Sequence, residues 1–513
     1  PLTPDGNLTT SEKKRILLNN IYGVDLDVNA VEVTKLSLLL KCMEGETEAS
    51  INSQLKLFNE RVLPTLDNNI KSGNSLIDLD FYETRLEFDN DRKIKPFSFK
   101  AAFPQIDSSG GFDFVIGNPP WGATFDDETL GYIRAKFISA QNGSIDSYSI
   151  FIERSLSILK KGGGLGFIIP DTFLRKDDYL SFREYLLRYS TIKQLIETGP
   201  VFSQVRDTWC CILLLGKNNP NKDVLTNHKK ISRFVVSTEE RLSLFGNEHW
   251  QSNTQFPQLQ WLDTNNKVIA YKASEADQEI ISKIEKATPL GLWAEFKISR
   301  GEEGSKSAII ESAEGDFFMV IPEDVEKFEV SPGKKIVSTS LTPGKLSAIY
   351  SKPKIWIIRI QKMRWPHRII SAVDVRRNSA GMKTLQSIVS STDDLSDLYY
   401  LQAILSSRLI NFWCVNYLAD DINGSYLSRI PLMRPLTKEK EILKSDLVML
   451  SMNLSKIKTE ISELNLESKK EELNNKALFL EDKINTLVYQ LYDLTRSEIQ
   501  TVNDEPLAKE EAI

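Results

Sequence analysis

The stretch Gly111-Phe112-Asp113-Phe114-Val115-Ile116-Gly117-Asn118-Pro119-Pro120-Trp121-Gly122 decides how this chain is read. Phe112 to Ile116 reads as a buried β-strand that runs straight into a turn no helix or strand can hold. Two successive prolines remove two backbone N–H donors and fix two φ angles. Each also drives the residue before it toward an extended conformation. Asn118, Pro119 and Trp121 are thereby held stiffly at a strand end. A Pro-rich turn with a core Trp is the plain reading. The sharper one is a turn that aims a side-chain amide, a backbone carbonyl and an aromatic face at one planar ligand.

Outward from that stretch, Ile21 to Leu26 is a short strand carrying Asp25 at its end. Asn29 to Cys42 follows as a helix, with Ala30, Val33, Leu36 and Leu40 near helical spacing. Gly73-Asn74-Ser75 marks another strand end. Asp146 is placed to N-cap a helix carrying Tyr148, Phe151, Ile152, Ser155 and Leu159 on one face, stopped by Gly162-Gly163-Gly164. Leu165 to Ile169 is a buried strand ending at Pro170, and Ile192 to Glu197 and Trp209 to Leu215 are two more. Strands alternating with helices predict a mostly parallel α/β sheet with helices on both faces. Ligands bind such sheets beyond the carboxyl ends of the strands. Asp25, Asn74, Asn118 and Pro170 all fall at such ends.

The polar run Lys217 to Lys222 reads as a boundary, giving a first domain over 1–222. Residues 223–435 read as a separate α+β domain, with short β-like runs such as Lys354 to Ile360 and one helix from Asp394 to Asn411. From 436 to 513 an a/d seam through Leu447, Leu454, Ile457, Leu473, Leu480 and Ile484 predicts an antiparallel helical hairpin broken near Asn465 to Ser468. It is expected to pack on the chain itself or on a helical partner. Thr495-Arg496-Ser497-Glu498 is a capping box opening a last helix.

The totals narrow the class. The chain has 513 residues, 41% of them hydrophobic and 26% charged, as in ordinary globular proteins of several domains. No apolar run approaches the ~20 residues of a membrane helix, and there is no secretory signal. Cys42, Cys210, Cys211 and Cys414 are not spaced like metal ligands and read as reduced thiols of a cytoplasmic protein. Three scattered histidines argue against a metal site or a His-based triad.

Asn-Pro-Pro-Trp after an apolar strand, downstream of a strand ending in Gly23-Val24-Asp25, resembles the amino-group methyltransferases that use S-adenosylmethionine. The chain is similar to the Eco-type methylase domain of type IIG and related restriction–modification enzymes. These are adenine-N6 DNA methyltransferases whose target-recognition domain follows the catalytic one. The likeness is strongest from Asn20 to Gly216. Leu401 to Leu409 and Ile422 to Leu432 resemble the TaqI-type specificity domain, and Leu487 to Thr495 resembles family C-termini. The resemblance implies a Rossmann-like catalytic domain, N-terminally truncated, then an α+β target-recognition domain and a helical hairpin. The family's glycine-rich first motif is expected upstream of Asn20. Pro4-Asp5-Gly6-Asn7 does not match it, and the glycines at 162–164 follow a helix instead of preceding one. The chain is therefore expected to begin after that motif.

The same resemblance assigns roles. Asp25 would grip the ribose hydroxyls of the cofactor, and Leu26 and Asn74 would touch its adenine. Asn118 and the Pro119 carbonyl, in a turn stiffened by Pro120, would accept both hydrogens of the target amino group. Trp121 and Phe202 would hold a base flipped out of double-stranded DNA. Tyr148 and Phe151 match a helix lining the cofactor pocket, and Pro170 a strand end near it. A surface acid, a turn Asn and a core Phe are the plain readings of Asp25, Asn74 and Phe202. Net charge is −6, but Ser331 to Lys383 holds twelve Lys/Arg against one acid, Asp374. Such a stretch suits a DNA surface, with Arg364, Arg368, Arg376 and Arg377 as candidate contacts, or else a solvated basic face. A protein-glutamine or ribosomal-RNA methyltransferase, and a non-catalytic DNA-specificity fragment, are the alternative functions.

Overall fold

A computed structural model of the chain describes residues 2, 6–45, 64–83, 94–141, 143, 145–202, 208–231, 235, 237–269, 275–303, 309–360, 367–392, 394–418, 421–464 and 466–504. It divides into two compact units, one of 1–231 with 241–269 and one of 232–240 with 270–513.

The first unit is mixed α/β with a central sheet. Strands β1 (Gly23–Asp25) and β2 (Ile70–Ser72) form a parallel pair. Strands β3 (Phe112–Gly117), β4 (Leu159–Pro170), β5 (Thr191–Gly199), β6 (Cys210–Gly216), β7 (Leu225–Lys230) and β8 (Ser252–Pro257) form a six-stranded sheet in the order β3-β4-β6-β5-β7-β8. The sheet is less parallel than the sequence predicts. β3 and β4 run parallel, as do β5 and β7, but β6 opposes both of its neighbours. The link from Gly199 to Cys210, between the neighbours β5 and β6, carries too few residues for the crossover of a dozen or more that a parallel neighbour requires. The polar run 217–222 is accordingly a turn inside this sheet and not a boundary, because β7 pairs directly with β5.

Two further expectations change. β3 is an open edge and not a buried strand: Phe114 is 74% exposed and Ile116 85%, and among the described residues it pairs only with β4. The helix Val28–Met43, capped by Asp27, turns Val33, Leu36 and Leu40 outward. Val31 and Cys42 pack instead with Leu17, Leu66 and Ile70. A helix this apolar (LSLLL at 36–40) has two candidate stripes, and periodicity cannot choose between them.

The second unit has a four-stranded antiparallel sheet of Phe296–Arg300, Leu385–Ser390, Lys354–Ile358 and Ser371–Asp374, in that order. Trp356, Leu385 and Val389 point to one core with Phe317, Ile349 and Ala380. The helix expected over 394–411 is two, Leu395–Leu405 and Arg408–Tyr417, because the Ser407 hydroxyl accepts from Ile410 N and caps a new start. The hairpin is formed by Lys438–Glu463 and Glu467–Leu491. Lys469–Glu460 and Lys458–Glu481 ion pairs show that its arms run oppositely. It packs on the unit's own helix 395–405 through Ser451 to Gln402 (3.1 Å) and Lys444 to Asp397 (2.8 Å). Thr495 and Glu498 close the expected capping box. All four cysteines are buried and free. Among the described residues no helix is long and apolar enough to cross a membrane.

Trp261 is fully buried in the first unit and stacks on Phe256 at 4.8 Å. Trp261→Ala is expected to lower the unfolding free energy of this unit by about 3–5 kcal/mol, read from urea melts.

Candidate active site

A cavity of about 1070 Å³ lies at the carboxyl ends of β1, β2 and β3. Register places its parts: Asp25 pairs with Ser72 on the parallel neighbour, and Gly73 N donates to Asp25 O at 2.9 Å. Asp25 and Asn74 are therefore brought to one rim. Asp25 is exposed, and its carboxylate accepts from Asp27 N at 2.8 Å. Leu26 is 48% exposed on the same rim. The Asn74 side-chain oxygen accepts from Leu76 N at 3.1 Å, and Asn74 lines the cavity. Asn118, Pro119 and Pro120 close the opposite side from the end of β3.

The turn after β3 is pinned from the next helix, Ser147–Ile158. The Ser147 hydroxyl donates to Pro120 O at 2.5 Å, and Asp146 accepts from Gly122 N at 2.8 Å. The Asp146 side chain makes no cap hydrogen bond to its own helix. The residue expected to cap the helix holds the Pro-Pro turn instead. Trp121 is half-buried, and its indole N–H is buried with no hydrogen-bond partner among the described residues. Phe202 meets it edge-on, with centroids 5.4 Å apart and planes at 71°. The structure thus brings together Trp121 and Phe202, which lie far apart in sequence.

Other expectations divide. Phe151 lines the cavity, but Tyr148 does not. It is fully buried on the other side of the helix, stacked on Tyr179 and packed against Phe173 and Phe182. Pro170 is buried and is not part of the lining. Of the candidate DNA contacts, Arg364 lies outside the described residues. Arg368 is fully buried, its backbone N–H donating to Asn411. Arg376 is locked on Asp374 at 2.7 Å and 3.0 Å. Of the three that are described, Arg377 alone is exposed. The basic stretch is in part internal. Lys354 is buried, bonded to Tyr350 O and Ser379, and burial pushes its ammonium down to about 7 against the pull of Asp374.

Sequence reading also missed groups. Arg154 lines the cavity and ties the Asn74-Ser75 turn, donating to Ser75 O at 3.0 Å and Asp78 at 2.7 Å. Glu197 lies buried near the end of β5, beneath the segment that carries Phe202. It faces Arg175 at 3.1 Å, His228 at 2.9 Å and Lys230 at 3.6 Å. Burial would raise its carboxyl, but Lys230, Arg175 and His228 outweigh that and hold it well below the usual carboxylate range. Just beyond, Gly199 has φ +70°, and a Cβ there would strike the Arg241 guanidinium. Arg241 itself donates to Thr198 O at 3.1 Å. The available signal was an acid inside Leu195-Ile196-Glu197, since a charge in an apolar strand demands a partner.

With this geometry in hand, comparison with known proteins is informative. Residues 19–202 match the Eco57I restriction-modification methylase family. The Escherichia coli type II restriction enzyme and methyltransferase RM.Eco57I is 32% identical over 280 residues, covering 53% of this chain and 25% of that protein. A putative type II restriction enzyme and methyltransferase of Methanocaldococcus jannaschii is 27% identical over 420 residues, covering 78% of this chain and 33% of the relative. The chain thus spans a quarter to a third of these relatives. The type IIL restriction-modification enzyme MmeI, solved in complex with DNA, shares the fold at a TM-score of 0.53 and 11% identity, over 96% of this chain and 74% of that one.

Glu197→Gln leaves buried cations without their counter-charge and is expected to cost on the order of 3–5 kcal/mol. Because the folded-state pKa of Glu197 is depressed, its contribution is complete above the unfolded value of about 4.3 and is lost as pH falls through the folded value. His228 acts in the same direction. Burial, stronger than the pull of Glu197, lowers its pKa, so its contribution is present above about 6.5 and fades below it. Urea melts of wild type and Glu197→Gln are expected to stay separated from pH 7 down to about 4.3 and to converge only as pH falls below that toward the depressed folded value.

Proposed function

We propose that the chain carries the methyl-transfer site and target-recognition region of a site-specific DNA adenine-N6 methyltransferase from a restriction–modification system. The observation that carries this reading is the convergence of Asp25, Asn74 and Asn118 on one cavity at three strand ends. The names of the relatives favour DNA as substrate. The first unit is read as part of a Rossmann-like methyltransferase domain, with β1 and β3 each paired on one side only among the described residues.

The cavity fits S-adenosylmethionine by its donors and its size. An exposed carboxylate and a half-buried amide stand on one rim and Asn118 on the other, with apolar walls at Leu26, Phe99 and Ile116. When bound, that cofactor supplies an electrophilic methyl group. Asp25 accepts hydrogen bonds from a vicinal diol, Leu26 packs on the adenine, and Asn74 touches its edge. The Asn118 side-chain oxygen and the Pro119 carbonyl accept the two hydrogens of the target amino group. That concentrates lone-pair density on the nitrogen and points it across the cavity. Positioning and fixed dipoles carry the step. The target base must leave the duplex to reach this turn. Trp121 offers it a ring face, and Phe202, edge-on in this structure, swings aside to pack against it.

Transfer of labelled methyl from S-adenosylmethionine to duplex DNA tests the reading. Asn118→Ala is expected to slow transfer roughly 10²–10³-fold, the scale of losing one fixed electrostatic contact, with cofactor affinity retained. Asp25→Ala is expected to weaken cofactor binding about 10- to 100-fold by calorimetry, as loss of charge-assisted hydrogen bonds dictates. Methyl transfer to release factor or ribosomal RNA, with DNA left untouched, would move the chain to another substrate class.

A further inference from the structure

We propose that the recess between strand Phe296–Arg300 and the turn at 421–428 of the second unit is a phosphate seat, in which Arg300 holds one backbone phosphate of duplex DNA. The inference rests on the DNA reading above. Arg300 pairs with Gln386, and Gln386 with Ile357. Side chains alternate along a strand, and Leu385 belongs to the core with Trp356. Arg300 and Ile298 therefore share the face turned away from that core, and both line a cavity of about 410 Å³. Asn423, Gly424 and Ser428 line it from the turn. Ile422 N donates to Arg359 O at 2.8 Å, which fastens the turn to the end of the neighbouring strand.

Among the described residues the lining holds two arginines, Arg300 and Arg359, and no acid. Both guanidiniums donate to one carbonyl, Lys383 O, at 3.2 Å from Arg300 and 3.4 Å from Arg359. Two cations are thus held side by side, but they are not equivalent. Arg359 is gripped by both oxygens of Asp421 at 2.5 Å and 2.6 Å, and its side chain is only 17% exposed. The Arg300 side chain is 38% exposed, and it meets the Glu303 carboxylate, itself 70% exposed, at 3.4 Å. Its Nη2 group makes no hydrogen bond among the described residues. Arg300 is therefore open to solvent and carries unspent donors, while Arg359 is committed to Asp421.

The shape selects the ligand. A recess cannot enter a groove to meet base edges, so what it receives must project from the duplex. The projecting groups are the phosphates of the backbone. A phosphate is also the acceptor that a guanidinium fork matches, through two parallel N–H bonds. An exposed ion pair such as Arg300–Glu303 is worth little, so a phosphate displaces Glu303 at small cost. A contact of this kind sets the register of the duplex and carries no sequence information.

The test is the affinity of the whole chain for duplex DNA across a salt series, with melting temperature as the folding control. Arg300→Ala is expected to weaken binding roughly 10-fold at low salt. It is expected to reduce the slope of log affinity against log salt by about one, equally on duplexes of unrelated sequence. Arg300→Lys is expected to keep most of the slope, because the charge stays, and to lose part of the affinity, because the fork is gone. Glu303→Gln removes the exposed competitor and is expected to tighten binding. Lys297, an exposed cation on the opposite face of the same strand, is the control: Lys297→Ala is expected to leave the slope unchanged. An unchanged slope in folded Arg300→Ala overturns the proposal. So does an equal drop in Lys297→Ala, the mark of a diffuse field, or a loss confined to one sequence, the mark of a base contact. A wild type that neither binds nor methylates any duplex sinks the DNA reading itself, a different result from an active protein whose slope ignores Arg300.

Discussion

The Asp146–Ser147 dipeptide at the head of one helix is the constraint on which the candidate site depends. A Pro-Pro turn stiffens its own backbone, but stiffness alone does not aim it. The Ser147 hydroxyl on Pro120 O and the Asp146 carboxylate on Gly122 N clamp the turn on both sides of Trp121. They tie a strand end to a helix whose same face, through Phe151 and Arg154, walls the cavity. Arg154 extends the tie to Asn74-Ser75. One helix therefore sets the distance between the two rims. Helix and turn move together, so the amide of Asn118 cannot drift independently of the rim that carries Asn74.

A second anchor acts on the far side. Phe202 sits on a segment leaving β5, and the strand beneath it is fastened by charges inside the unit. Glu197 draws Arg175 from the turn after β4 and His228 and Lys230 from β7 onto one point. Arg241 adds a hydrogen bond to Thr198 O, and Gly199 supplies a left-handed backbone that brings the chain past that guanidinium. A buried charge cluster adds little net stability over a well-packed apolar one. What it contributes is direction, because each carboxylate oxygen and each guanidinium fork accepts few geometries.

Much of this was legible in the sequence, for a physical reason. Strand-end residues such as Asp25, Asn74 and Asn118 announce themselves because apolar runs stop there and turn chemistry begins. The hairpin seam and the Thr495 capping box were legible because both are local patterns. What escaped was set by tertiary partners. The outward turn of Val33, Leu36 and Leu40 depends on which stripe of an apolar helix finds a neighbour. The direction of β6 depends on the length of the link that brings it back beside β5. Tyr148 and Phe151 lie on one helix, three residues apart, and a single face was assigned to both. The fold rotates Tyr148 into an aromatic cluster and leaves Phe151 at the cavity.

The basic stretch shows why charge counting is a weak guide to an interface. Twelve Lys and Arg between Ser331 and Lys383 suggest an open positive surface. Yet Arg368 and Lys354 are internal, Arg376 is neutralised by Asp374, and Arg359 by Asp421. Long cationic side chains serve folding as readily as binding, since they span between strands and saturate several acceptors at once. The exposed remainder, including Lys334, Lys335, Arg377 and Lys383, is what a phosphate backbone could meet. Electrostatic attraction of that kind is blind to sequence. Selectivity has to come from groups with fixed donor and acceptor geometry, and such groups are held by a sheet and not scattered on its surface.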